Sequence, residues 1–119
     1  MSVVERWGEA TVLVVDEDGP PLDGRAFRDL IGDAMGEGAD LLVLPVARFP
    51  ASFWELASGQ AGDLFQLSVN YHVRIAVVGD LPEAATGSRS FTALVRESNA
   101  GPQHWFLPSM DALRVRLGA

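Results

Sequence analysis

Leu56 to Asp80, LASGQAGDLFQLSVNYHVRIAVVGD, reads as a turn, a helix, a link and a strand in one continuous block. Small residues open it. From Gln60 to Val69, the residues Ala61, Leu64, Phe65 and Ser68 recur at the spacing of one helical face, with Leu67 and Tyr71 at its margins. A short polar link follows. Arg74 to Val78 (RIAVV) is then an apolar, β-branched run, the signature of a buried strand, and Gly79 and Asp80 end it. A helix that feeds straight into a non-alternating strand is half of a crossover unit. Parallel strands need such crossovers because no tight turn can join them. The block therefore points to a layered α/β architecture.

The flanking sequence repeats the theme. Thr11 to Val15 (TVLVV) reads as a strand, ended by the proline-containing turn Asp16 to Gly24. Arg25 to Met35 reads as a helix, capped by Asp23, with Phe27, Leu30, Ile31 and Ala34 on one face and Gly36 and Gly38 at its exit. Asp40 to Leu44 (DLLVL) does not alternate, as befits a strand covered on both faces. Pro45, Phe49 and Pro50 begin a loop in which Ser52 to Ala57 forms one helical turn. Leu81 to Ser88 reads as a loop. Ser88 or Ser90 caps a helix running to Ser98 with Phe91, Leu94 and Val95 inward, and Asn99 to Pro102 stop it. Trp105 to Leu107 is a short strand. Ser109 caps a last helix held down by Leu113 and Leu117, with Asp111 in its first turn. Val3 to Trp7 adds an edge strand with Val4 inward. The expected fold is a single α/β domain over residues 1–119. It has a four- or five-stranded, mostly parallel sheet and about four packed helices.

Composition narrows the function. The net charge is −7, and all nine basic residues are arginines. So acidic a chain is poorly suited to the phosphate backbone of nucleic acid. There is no cysteine, which excludes disulfides, thiol chemistry and cysteine metal sites. The first residues, MSVVERWGEA, make no signal peptide, and no run approaches a membrane span. The expectation is a cytoplasmic protein that binds neither membrane nor nucleic acid. No cofactor is implied, because VVGD lacks a glycine-rich loop and there is no Walker sequence. His72, Ser58 and Asp80 compose a nucleophilic triad only on paper, since His72 and Asp80 fall at opposite ends of one strand. No Gly-x-Ser-x-Gly elbow exists. No catalytic residue and no metal ligand is assigned.

The stretch FWELASGQAGDLFQLSVNYHVRIAVVGD, followed by SFTALVRESNAG and WFL, resembles the bacterial family called domain of unknown function 4180. Ser58, Gly59, Ala61 and Gly62 match that family's turn. Asp63 stands where the family has glutamate, and Leu67 where it usually has lysine. Gln66, Asn70, Tyr71, Gly79, Asp80, Glu97, Ser98, Asn99 and Gly101 match its motifs. The resemblance covers nearly all of the chain from Leu41 onward, and the first 40 residues match only in pattern. A more distant likeness is to the STAS domain of anti-sigma-factor antagonists, in which the serine opening a helix is phosphorylated. Ser58 best matches that serine, although the usual Asp-Ser-Ser-Gly-Leu reads Leu-Ala-Ser-Gly-Gln here.

The candidate positions follow. Ser58 and Gly59 open a helix whose free N–H groups suit an anion, or Ser58 simply caps it. Gly59 and Gly62 are expected to allow close backbone approach. Asp63 and Asp80, with Asp16, fall toward the carboxyl ends of the strands, where open α/β sheets bind ligands such as a hard cation. Asn70 suits a left-handed helix end, with Tyr71 packing its ring and pairing its hydroxyl. Glu97 near a helix C-terminus opposes the dipole, which Arg74 or Arg96 would offset, or else it marks a contact surface together with Asn99. Phe49, Phe53 and Trp54 either cover the core or form an interaction patch, and Trp105 or Phe106 would face a dimer partner. The reading is a non-enzymatic regulatory module that docks a protein partner, or a second copy in a homodimer, around Ser58. The alternative is a small-molecule or metal-ion site, or an enzyme, at the acidic edge of Asp16, Asp63 and Asp80.

Overall fold

A computed structural model describes residues 2–118; Met1 and Ala119, the ends of the expected domain, lie outside the described residues. Five strands form one mixed sheet in chain order: β1 (Ser2–Trp7), β2 (Ala10–Val15), β3 (Leu41–Pro45), β4 (Arg74–Val78) and β5 (His104–Leu107). β1 runs antiparallel to β2 through a two-residue turn in which Gly8 supplies the positive φ a tight hairpin requires. The other three pairings are parallel. Five helices accompany them: α1 (Gly24–Gly36), α2 (Gln60–Tyr71), α3 (Glu83–Thr86), α4 (Arg89–Ala100) and α5 (Met110–Leu117). The α/β class and the mostly parallel sheet are as expected. The single-turn helix α3, which buries Ala85, lies within the segment read as a loop.

Parallel strands added side by side in one direction put their right-handed crossover helices on the same face of the sheet. The core shows this. Leu13, Val15, Leu42, Leu44, Ile75, Val77 and Phe106 pack with Phe27 and Ile31 of α1, Ala61 and Leu64 of α2 and Phe91 of α4. The alternate residues Val12, Leu41, Val43, Ala76 and Trp105 point to the other face and pack with Trp7 and with Leu113 of α5. All five residues of β3 are buried, as its continuous apolar run required. Asp23 caps α1 by accepting from the Ala26 N–H at 2.8 Å, and Ser88 and Ser109 cap α4 and α5 in the same way.

Between β3 and α2 the chain makes three 3-10 turns, Val46–Arg48, Ala51–Trp54 and Leu56–Ser58. Their rings join the core. Phe53 is 0% exposed and Trp54 4%; they pack edge-on against each other and against Phe91, and Phe49 meets Trp54 edge-on and Phe53 at a tilt of 41°. Burying such a ring contributes about 2 kcal/mol, and of the two readings of Phe49, Phe53 and Trp54 the burial supports the core cover over the contact patch. Likewise Trp105 and Phe106 are both buried, on opposite faces of β5, so neither is offered to a partner. In β1 it is Trp7 that is buried, whereas Val4, expected inward, is exposed.

Two buried polar residues tie loops to this frame. Arg48 donates from Nε to the Pro20 carbonyl (3.0 Å) and from Nη1 to those of Asp16 (2.8 Å) and Asp18 (3.2 Å). Its guanidinium fills the place a side chain at Gly19 (φ +147°) would need, with a Cβ there only 2.6 Å from Arg48 Cζ. Ser68, fully buried in α2, donates to the Val73 carbonyl and accepts from Gln103 Nε2 at 3.0 Å, which ties the end of α2 to the start of β5.

Candidate functional site

The crossover topology lays α1 and α2 side by side on one face of the sheet, and they meet over Phe27 and Leu64. Above that contact the helices part and leave an open groove of about 270 Å³. Its floor is Phe27, Leu64 and Leu67. One wall is Gly24 and Arg28 of α1, and the other is Gln60, Asp63, Gln66 and Asn70 of α2. The α2 residues succeed one another at intervals of three or four, so they form one polar stripe along the helix. Gln66 Nε2 donates to Asn70 Oδ1 at 2.9 Å, which holds both amides in place on the rim. The groove offers several amide donors and acceptors, one cation and one carboxylate over an apolar base. That set suits a polar peptide or side-chain segment better than a bare ion.

Ser58 and Gly59 sit at the entrance to α2. Ser58 is exposed, and its Oγ accepts only a long bond, 3.3 Å, from the Gln60 N–H. It does not occupy the cap position. That position is Gly59, in the left-handed region at φ 79°, ψ −5°, with no side-chain cap bond. A Cβ on Gly59 or Gly62 would meet nothing within 4 Å, so close approach is not what these glycines provide. Gly59 is needed for its positive φ, and Gly62 is simply exposed on the helix. The side chain of Gln60 donates to Ser52 Oγ at 2.6 Å and fastens the start of α2 to the aromatic turns.

The remaining candidates are dispersed. Asp63 lies in the groove, whereas Asp80 lines a separate shallow concavity of about 240 Å³ with Glu17, Pro45, Val46 and Gly79. At Gly79 (φ +133°) the backbone conformation and a tight approach both favour glycine, since a Cβ there would lie 3.1 Å from that of Val46. Among the described residues no group of three or more His, Asp or Glu side chains is placed to hold a metal ion. His72 precedes β4 and Asp80 follows it, a separation of roughly 15 Å or more at strand rise. The paper triad does not assemble.

Asn70 does not end α2. The left-handed C-cap is His72 (φ 58°), the one non-glycine residue with positive φ among those described. Tyr71 is 50% exposed instead of packed. Glu97 is exposed near the end of α4. The Asn99 side chain is committed to the backbone of β5, accepting from the Phe106 N–H at 2.7 Å and donating to its carbonyl at 3.0 Å. His104 stacks on Phe65 at 4.1 Å, and burial pushes its pKa below the ordinary value. Of the sequence candidates, Asp63 and Asn70 share the groove, with Ser58 and Gly59 at its approach. Arg28, Gln60 and Gln66 were not among them. The i, i+4 spacing of Gln66 and Asn70 could have signalled the stripe. Nothing in the sequence placed Arg28 opposite it.

The molecule is thus a small α/β protein with a polar-rimmed groove between two helices on one face of a mixed sheet. It belongs to the family described as domain of unknown function (DUF4180), matching over residues 8–117, so the match takes in most of the first 40 residues as well. No curated protein and no solved structure matches it. No helix among the described residues is long and apolar enough to cross a membrane.

Proposed function

We propose that this protein is a non-enzymatic interaction module, a single STAS-like domain that docks a protein partner along the α1–α2 groove. The observation that carries the reading is the groove itself. The polar stripe of α2 faces Arg28 across an apolar floor, with the exposed Ser58–Gly59 turn at its approach. The aromatic residues of the preceding turns are in the core, so specificity falls to the stripe. Support for the STAS-like assignment is the succession of β3, an aromatic segment, a Ser-Gly turn, α2 and β4. A phosphate on Ser58 would add roughly −1.5 to −2 charges at the groove's approach and so alter what docks there. The acidic-edge alternative has less support, because Asp63 and Asp80 line different concavities.

The test is site-specific photo-crosslinking in cells, with the photoreactive residue at position 66 or, as control, at Val115 on the exposed side of α5. A discrete protein adduct is expected from position 66 and not from position 115, and Arg28→Glu should abolish it. No adduct from the groove, or the same adducts from both positions, would overturn the proposal.

A further inference from the structure

The two edges of the sheet are treated differently. At β5 the outward-facing N–H and carbonyl of Phe106 are both occupied by the Asn99 side chain, so an incoming strand finds its central hydrogen-bonding groups taken. At β1 nothing comparable occurs. β1 pairs with β2 residue for residue over Ser2–Trp7, without a bulge and without proline. Among the described residues, no backbone hydrogen bond reaches its outer rim. Edge strands are commonly guarded by charged side chains. Here those charges are turned back onto their own chain. Glu5 Oε1 accepts from Trp7 Nε1 at 3.1 Å, and Arg6 Nη1 donates to Thr11 Oγ1 at 3.1 Å. Beside the exposed Arg6 the rim leaves two apolar side chains in solvent: Val3 is 57% exposed and Val4 42%, on opposite faces of the sheet.

We propose that β1 is a self-pairing edge, and that two copies of the chain join β1 to β1 antiparallel into one continuous sheet. A strand edge is self-complementary under a two-fold axis, which makes a second copy its natural occupant. The axis must stand normal to the sheet for the strands to run antiparallel, so each face continues across the junction. Opposed residues must then belong to the same face. Centring the axis on Glu5 would oppose two carboxylates. Centring it on Val4 sets Val4 against Val4, Val3 against Glu5 and Ser2 against Arg6, with no like charges directly opposed. This register uses nearly the whole strand. The surface is distinct from the α1–α2 groove, so its failure would leave the docking reading untouched.

Light scattering should give wild-type protein a mass twice the 12.8 kDa of one chain, and Val4→Lys should return it to a single chain with an unchanged circular dichroism spectrum. A second measurement does not depend on that variant. The chain has no cysteine, so Val4→Cys places one thiol at the axis, and a short bis-maleimide should link it into dimers. Val115→Cys, more exposed but on α5, should not link. A single-chain mass up to millimolar concentration, a dimer that survives Val4→Lys, or equal linking at both cysteines would each overturn the proposal.

Discussion

His104 shows how one side chain links packing to pH. Its ring lies flat on Phe65, with an interplanar angle of 8°, and its Nε2 is shut away from solvent without a hydrogen-bond partner. Desolvation is the larger effect and lowers the pKa from 6.5, and a hydrogen bond with the Phe65 backbone opposes it only in part. The folded chain therefore holds His104 neutral at a pH where the unfolded chain has begun to take up the proton. In that window the unfolded state binds more protons, so stability rises with pH and falls on acidification through 6.5. The loss stops growing below the folded pKa. His104→Phe keeps a ring against Phe65 and removes the titration. Urea midpoints measured on either side of 6.5 should fall more on acidification for wild type than for this variant. Equal falls, or a smaller fall for wild type, would refute this account.

At the scale of elements, α2 separates two glycines that look alike in sequence. Gly59 holds φ +79°, a conformation costing an L-residue roughly 1–2 kcal/mol. Gly62 sits in the helix with open space around it, and alanine there should gain about 0.5–1 kcal/mol of helix propensity. Chemical denaturation should thus show Gly59→Ala destabilised and Gly62→Ala stabilised; the same sign for both would refute the assignment. The contrast also marks what was legible. Periodicity identified α1, α2, α4 and α5 because one-sided burial imposes a repeat of about 3.6 on a helix, and short continuous apolar runs identified β2, β3 and β4 because strands covered on both faces need no polar alternation. Cap chemistry was less transferable. Serine is a good cap in general, but the 3-10 turn before α2 brings Gly59 to that position instead. The polar stripe of the groove was written in the spacing of α2. Its opposite wall was not, because Arg28 reaches it only through the packing of two helices, which no local pattern encodes. The burial of Ser68 followed from its place on the inner face of α2, but its partners and those of Arg48 were hidden for the same reason, since they lie on segments distant in sequence or past the helix end.

For the molecule as a whole, the two faces of the sheet are unequally protected. Three crossover helices cover one face, and the other rests on Trp7, α5 and two arginines of α5. Arg114 lies over the Trp7 ring at 4.0 Å and Arg116 over Trp105 at 4.7 Å, so long basic side chains shield the indoles where helix is lacking. Leu113 is the buried anchor of α5. Its truncation to alanine should cost about 2–5 kcal/mol, the range for a buried leucine whose cavity collapses only partly. The loss should be local first. α5 is short, and a helix of eight residues keeps its form mainly through the face it buries. Leu113→Ala should therefore open α5 and wet Trp7 and Trp105 while Trp54, in the cluster on the opposite face, stays dry. Fluorescence of single-tryptophan variants would show emission from Trp7 and Trp105 moving to the red at denaturant concentrations that leave Trp54 unchanged. If all three indoles shifted together, the two faces would unfold as one cooperative unit, and α5 would be a full member of the core and no longer a detachable cover.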